Sequence, residues 1–155
     1  MRIHTRSETE TESVGERLAG ALRPGAVVGL SGPLGAGKTA FVRGLARGLG
    51  IDERHVHSPT FLTAAEYGGA RRLVHVDLYR HEELLPDPDW LAELLESDSV
   101  AVVEWFERLG EHAPRDAVLV RIAYGAAAEE RILEISAPDA AAVRPLADLA
   151  SEAHA

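Results

Sequence analysis

The chain has 155 residues, of which 46% are hydrophobic and 26% are charged, so it is long enough for one domain with a substantial core and too short for two ordinary domains. It contains no cysteine, which excludes disulfides and thiolate zinc sites and fits a reducing compartment. Its formal net charge of −9 argues against direct binding of nucleic-acid phosphates, because proteins that bind them normally carry a basic face. Any link to nucleic acid is expected to run through another protein.

The first half of the chain is predicted to form strand, helix, strand and helix. A short strand is expected over residues 1–6, and apolar residues at helical spacing predict a helix over 10–22 that a proline–glycine pair stops. The nearly unbroken apolar run 26–31 is typical of a strand that is buried on both faces of a parallel sheet. The segment 39–50 is predicted to form an amphipathic helix whose final glycine suits a C-cap.

The second half is predicted to add further strands and one short helix. The helix is expected over 90–97, with Trp90 in its core. The strands of this half are expected after Pro59, over 71–80 with an end near Asp77, over 99–105 with an end at Glu104, and as a closing pair over 117–124 and 130–137.

Residues 1–140 are expected to form a single domain, and the alanine-rich tail 141–155 is expected to be helical or loose.

The segment GPLGAGKT, Gly32 to Thr39, fits the Walker A pattern between a predicted buried strand and a predicted amphipathic helix. Its glycines let backbone N–H groups turn inward around phosphate oxygens, and the helix adds its positive end. The loop and the strand pattern predict an α/β, P-loop NTPase-like fold: a central mixed, mostly parallel sheet flanked by helices, with antiparallel edge strands. A nucleotide is expected to bind at Gly35, Ala36, Gly37, Lys38, Thr39 and Ala40.

Lys38 is the only lysine in the chain, and every other strongly basic residue is an arginine. A compact ammonium on a flexible stem fits inside a phosphate loop, whereas a planar guanidinium does not. Lys38 is expected to bridge the β- and γ-phosphates, and Thr39 is expected to place its hydroxyl on Mg²⁺. An exposed lysine in a glycine-rich turn is the weaker interpretation, because this chain otherwise avoids lysine.

Two acids follow apolar strands, Asp77 after LVHV and Glu104 after VAVV. The carboxyl ends of parallel strands line the ligand crevice of such sheets. Either acid could therefore hold Mg²⁺ while the other orients or deprotonates the attacking water. His75 is expected to pack beside Asp77. The predicted catalytic residues are Lys38, Asp77 and Glu104.

The predicted nucleotide is ATP, bound with Mg²⁺. Guanine-specific P-loop proteins usually read the base with an Asn/Thr-Lys-x-Asp motif, and the chain has no second lysine for it. The chain also contains no asparagine and no glutamine. This absence excludes carboxamide readout of a base, and it excludes a glutamine that orients the hydrolytic water.

Four motifs in one order resemble the TsaE family: GPLGAGKT, then HSPTF (57–61), HVDLYR (75–80) and VEW (103–105). The resemblance covers roughly residues 10–137. It implies a cytoplasmic ATPase of bacterial threonylcarbamoyl-adenosine synthesis that is slow alone and stimulated by its partners, TsaD and TsaB. Such a protein would meet tRNA only through that complex. No membrane association is expected, since no apolar run approaches the ~20 residues of a membrane span.

The resemblance also implies roles for single residues. Thr39 and Glu104 match the family's Mg²⁺ ligands, and Asp77 matches its Walker B-like acid. Trp105 matches an aromatic residue on the nucleotide side, and Thr11 matches a nucleotide contact ahead of the first helix.

A switch-like loop near the γ-phosphate is matched by Ser58, Pro59 and Thr60, and Arg131 matches a basic residue near the base. The chain departs from the family pattern at two positions. Pro33 stands where an acidic or amide residue is usual, and Phe106 replaces the proline that commonly follows EW.

Three functions fit these residues. The first is an ATPase that drives or resets a tRNA-modifying complex, and it is favoured by the full motif set. The second is a small-molecule kinase of the P-loop class, although the sequence contains no distinct acceptor-binding or arginine-rich lid segment. The third is a binding module in which ATP only orders the SPTF loop, and the sequence separates it poorly from the first.

Overall fold

The computed structural model describes residues 1–57, 64–81, 87–95 and 98–152. Within these ranges the chain forms one sheet with helices on both faces. The strands are β1 (Arg2–Thr5), β2 (Val27–Ser31), β3 (Ala64–Tyr67), β4 (Leu73–Asp77), β5 (Val100–Glu104), β6 (Val118–Tyr124) and β7 (Arg131–Ser136). The helices are α1 (Glu8–Ala19), α2 (Lys38–Gly48), α3 (Pro88–Leu95) and α4 (Ala147–Glu152), with 3-10 segments at Glu53–His55, Phe106–His112 and Ala140–Leu146.

The sheet has the spatial order β1-β7-β6-β2-β5-β4-β3. Its four central strands are parallel, because β2 pairs with both β5 and β6, and β5 also pairs with β4. The edges are antiparallel, with β3 against β4 on one side and β6, β7 and β1 on the other. The predicted α/β fold with a mostly parallel centre and antiparallel edges is confirmed.

The two sheet faces carry separate apolar layers. Helices α1 and α2 cover one face, where Phe41 and Leu45 of α2 are fully buried. The other face is packed by α3 and the 3-10 segment Phe106–His112. Strands β2 and β5 lie between the layers, which explains why they read as unbroken apolar runs rather than alternating ones. Leu146, in the segment before α4, is also fully buried in the first layer.

The prediction for Trp90 is wrong, since 41% of this residue is exposed. Helix α3 instead buries Leu91 and Leu95. These two leucines are four residues apart and share one helical face, from which Trp90 is rotated away. No helix among the described residues is long and apolar enough to cross a membrane.

Glycines bring α1 and α2 into direct backbone contact. A Cβ on Gly15 would overlap the carbonyl of Phe41, and a Cβ on Gly44 would overlap the carbonyl of Glu12. Ion pairs reinforce the contact, including Arg47 with Glu16 at 2.9 Å. This packing fixes the helix that begins at the phosphate loop.

Gly44→Ala is expected to lower the free energy of unfolding by about 1–3 kcal/mol, because the methyl group would push two helix backbones apart. The clash outweighs the ~1 kcal/mol that alanine gains over glycine in a helix. Chemical denaturation measures the change. Gly20→Ala is the matched control, since Gly20 has φ −62° and a Cβ there meets only the Arg17 carbonyl at 3.5 Å. Equal stabilities of the two variants would contradict this account of the helix contact.

Candidate active site

The loop between β2 and α2 is shaped by glycines with positive φ. Gly32, Gly35 and Gly37 have φ values of +145°, +75° and +102°, which are unfavourable for any residue with a Cβ. A Cβ on Gly32 would also overlap the carbonyl of Ile122 in β6. The first-turn amides of a helix point along its axis, so those of Lys38 and its two successors face the loop. The curled backbone predicted from the sequence is therefore present.

Lys38 is the first residue of α2 and is buried, with 6% exposure. Its Nζ donates to the carbonyl of Gly32 at 2.6 Å and to the carbonyl of Pro33 at 2.9 Å. Burial lowers the pKa of Lys38, and the negative charges of Glu104, Glu107 and Asp77 oppose this shift. The ammonium thus lies inside the loop with acids around it, and the interpretation as an exposed lysine in a turn is wrong.

Asp77 and Glu104 are directly paired at the carboxyl ends of β4 and β5. Asp77 is half-buried, and its Oδ1 accepts from the backbone N–H of Tyr79 at 2.9 Å. Burial raises the pKa of the Asp77 carboxyl, the Tyr79 hydrogen bond opposes this, and the charge of Glu104 adds to it. Since the carboxyl ends of parallel strands meet at one edge, both acids lie at the edge that carries the phosphate loop.

Glu104 is 3% exposed and interacts with buried His75. The distance from His75 Nε2 to Glu104 Oε2 is 2.8 Å. His75 was expected to pack beside Asp77 of its own strand. Its hydrogen bond is made with Glu104 of the neighbouring strand. The parallel register explains this, because Asp77 pairs with Glu104 and His75 lies two residues earlier on the same face.

Trp105 follows Glu104 in the left-handed region, with φ 58° and ψ 42°. It is the only non-glycine residue with positive φ among the described residues, and such a conformation in a bulky residue is a mark of functional constraint. Its ring centroid lies 4.5 Å from Lys38 Nζ, 4.7 Å from Arg108 Cζ and 5.3 Å from the Tyr79 ring. Phe106, at the second departure from the family pattern, packs against Gly29 on the sheet face that is opposite α1 and α2.

Arg108 and Tyr79 are parts of this site that the sequence analysis missed. The Arg108 guanidinium donates to the carbonyl of Leu78 at 2.7 Å and to the carbonyl of Tyr79. It therefore connects the segment after β5 to the segment after β4. A usable signal was present, since Tyr79 lies two residues beyond Asp77 and Arg108 lies four residues beyond Glu104.

The other rim of the loop carries Thr11, Arg131 and Tyr124. Thr11 is 1% exposed, and its Cγ2 lies 3.7 Å from the position of a Cβ built on Gly37. Arg131 Nε donates to the carbonyl of Ala36 at 3.0 Å, and its guanidinium lies 4.9 Å from the Tyr124 ring. The Tyr124 hydroxyl donates to the carbonyl of Leu34. The structure thus brings Thr11 and Arg131 to the loop, and it adds Tyr124, which the sequence analysis did not single out.

The remaining predicted residues have different outcomes. Thr39 and Ala40 lie in the first turn of α2, where Ala40 is buried. Ser58, Pro59 and Thr60 lie outside the described residues. No group of three or more histidine or acidic side chains within the described ranges could form a metal site by itself. Mg²⁺ commonly binds through one or two protein ligands and substrate phosphates, and Thr39 with Glu104 could supply such a partial site.

Asp77→Asn is expected to stabilise the free protein. The raised pKa means that the folded chain binds the Asp77 proton more tightly than the unfolded chain, so the free energy of unfolding falls as pH rises above about 4. Asparagine does not ionise, so the variant does not lose this stability as the pH rises. Its Tm at pH 7 should therefore be about 1–3 °C higher than that of the wild type.

Thermal unfolding between pH 4 and pH 8 tests this prediction, and the gain should shrink toward pH 4. Asp148→Asn is the control, because Arg17 lowers the pKa of Asp148 and its replacement should not raise Tm. A lower Tm for Asp77→Asn at pH 7 would contradict the prediction.

A loop of positive-φ glycines between a parallel strand and a helix, with two acids at the ends of the neighbouring strands, is typical of a P-loop NTPase-like fold. The family model described as "Threonylcarbamoyl adenosine biosynthesis protein TsaE" matches residues 5–133. The chain belongs to the TsaE family.

Named relatives agree with this assignment. The TsaE protein of Treponema pallidum is 42% identical over 123 residues, which covers 79% of this chain and 90% of that protein. The TsaE protein of Streptomyces coelicolor is 46% identical over 123 residues, covering 76% and 82% of the two chains. The crystal structure of YdiB from Bacillus subtilis aligns with a TM-score of 0.76 and 28% identity, covering 99% of this chain and 95% of that one.

Proposed function

We propose that this chain is an Mg²⁺-dependent ATPase that supports a TsaD–TsaB pair in threonylcarbamoylation of the adenosine next to the tRNA anticodon. The observation that carries the proposal is the buried Lys38 ammonium, held inside a loop of positive-φ glycines and facing the paired acids Asp77 and Glu104. Family membership supports the role in tRNA threonylcarbamoyladenosine biosynthesis.

In this proposal the loop holds the polyphosphate. The backbone amides from Gly35 to Ala40 donate to phosphate oxygens, and Lys38 moves from the carbonyls of Gly32 and Pro33 to the β- and γ-phosphates. The Trp105 ring lies against the same ammonium and closes one side of the site. Thr11 and Arg131, on the other rim, contact the nucleoside end.

The two acids have separate roles in this proposal. Thr39 and Glu104 would hold Mg²⁺, which supplies neutralisation of the charge on the β- and γ-phosphates. Asp77 orients the attacking water and accepts its proton, and the raised pKa of this carboxyl suits a proton acceptor. The water oxygen bonds to the γ-phosphorus while the bond to the ADP oxygen breaks, which yields ADP and free phosphate.

The charge of the chain supports an indirect link to tRNA. A net charge of −9 disfavours binding to RNA phosphates by this subunit alone. The TsaD and TsaB proteins would therefore make the RNA contacts, and this subunit would act on them through its nucleotide state.

Phosphate release tests this function. The purified chain should release free phosphate from ATP slowly, and the rate should rise when TsaD and TsaB are added. A cell that lacks the gene should lose threonylcarbamoyladenosine from its tRNA, and wild-type protein should restore it. An unchanged rate with the partners would contradict the proposal, and phosphate transferred only to a hydroxyl acceptor would indicate a kinase instead.

A further inference from the structure

A buried histidine lies behind the proposed magnesium ligand. His75 is fully buried on the sheet face that α1 and α2 cover, and Glu104 beside it is 3% exposed. Leu73 and Val102 are apolar and fully buried on the same sheet face, so a branched apolar residue would suit the His75 position better. A buried imidazole is costly unless it is hydrogen-bonded, so the histidine needs a reason beyond packing.

The contact between the two side chains assigns their hydrogen-bonding roles. As a magnesium ligand Glu104 would act as a carboxylate, which can only accept, and His75 Nε2 would then be the donor in the 2.8 Å contact with Glu104 Oε2. The imidazole Nδ1 is buried and has no hydrogen-bond partner among the described residues. The contact that His75 makes through Nε2 is therefore with Glu104.

The same geometry argues against direct contact of His75 with substrate. Its side chain has 0% exposure, Nε2 is engaged by Glu104, and Nδ1 is also buried, so within the described residues neither ring nitrogen is open to water or a phosphate. In the sheet, β5 lies between β4 and β2, and the phosphate loop follows β2. Glu104 of β5 therefore lies between His75 of β4 and the phosphate loop.

We propose that His75 is a positioning residue: its Nε2–H holds Oε2 of Glu104, so that Oε1 is kept available for the nucleotide's Mg²⁺. This inference rests on the proposed function. Hydrogen-bond partners behind a metal ligand commonly fix the ligand's orientation, and their loss costs about 10–100-fold in metal affinity or activity.

Two amide variants of different reach test the proposal. In His75→Gln the amide nitrogen lies about as far from the backbone as Nε2 and can still donate to Glu104. In His75→Asn the side chain is one methylene shorter and does not reach. The two variants have the same chemistry and comparable burial costs, so a difference between them reports the hydrogen bond rather than the loss of the ring.

The measurement is Mn²⁺ affinity of the protein–ADP complex by electron paramagnetic resonance, alongside metal-free ADP affinity and Tm. His75→Asn should weaken Mn²⁺ binding by about 10–100-fold, with metal-free ADP affinity changed by less than about 3-fold. His75→Gln should stay within about 3-fold of wild type in both.

The following results would overturn the proposal. Equal Mn²⁺ affinity for the Gln and Asn variants would show that reach to Glu104 does not matter. A parallel loss of metal-free ADP affinity and Tm in both variants would show a structural role only. Failure of the wild-type protein to bind ADP would remove the proposed function as well, whereas normal wild-type binding with unaltered variants would remove this inference alone.

Discussion

Lys38→Ala is expected to weaken ATP binding by about 100-fold or more, which corresponds to about 2.7 kcal/mol. The reason is the place of the ammonium: it is buried inside the loop, where solvent screens its attraction to phosphate poorly. The rate of hydrolysis by the ATP-bound protein should also fall, because the same charge would stabilise the phosphate oxygens in the transition state. Calorimetric titration with ATP and Mg²⁺, followed by phosphate release, measures both effects.

Two variants control this experiment. Lys38→Arg keeps the positive charge but should not restore binding, because the guanidinium is too large and too rigid for the loop. Arg23→Ala also removes one positive charge, but Arg23 precedes β2 at the end of the strand away from the loop, and its side chain is 83% exposed. Wild-type affinity in Lys38→Ala, or full rescue by arginine, would contradict the assigned role.

Glu104→Gln is expected to reduce ATP hydrolysis by about 100-fold while leaving metal-free nucleotide binding nearly unchanged. Glutamine preserves the volume of the buried side chain and an oxygen that can accept from His75. It removes the charge that would hold Mg²⁺. The magnesium concentration needed for half-maximal activity should therefore rise, and this shift separates a lost metal ligand from a damaged fold.

Glu111→Gln is the matched control, because Glu111 lies in the same segment after β5 and its side chain is 91% exposed. It should behave as wild type in hydrolysis and in its magnesium requirement. A second measurement, made in cells that carry Glu104→Gln, is the content of threonylcarbamoyladenosine in their tRNA. If tRNA modification proceeded normally while hydrolysis was lost, the chain would act as a nucleotide-dependent binding module and turnover would not be its function.

The sequence predicted the parts of the site that depend on local pattern. Apolar runs that end in an acid located the carboxyl ends of β4 and β5, and a Walker loop between a strand and a helix located the phosphate loop. These predictions hold because a strand that is buried on both faces requires apolar residues, and a backbone position with positive φ favours glycine.

Features that depend on the pairing of distant segments were missed or misassigned. His75 was expected beside Asp77 of its own strand, and the sequence did not indicate its hydrogen bond to Glu104 of the neighbouring strand, which depends on the parallel register. Arg108 donates to the carbonyl of Leu78 across a separation of about thirty residues. Its place four residues beyond Glu104 could have indicated that it belongs to the site, but it does not indicate this contact. Trp90 was misassigned because a short helix offers too few turns for its periodicity to identify the buried face.

Calorimetry with the intact protein tests the central claim, which is that the curled loop around Lys38 holds the phosphates of an adenine nucleotide. ATP with Mg²⁺ is expected to bind at one site per chain, and the heat signal should disappear in Lys38→Ala at the same concentrations. The absence of any adenine-nucleotide binding to the folded wild-type protein would contradict the account.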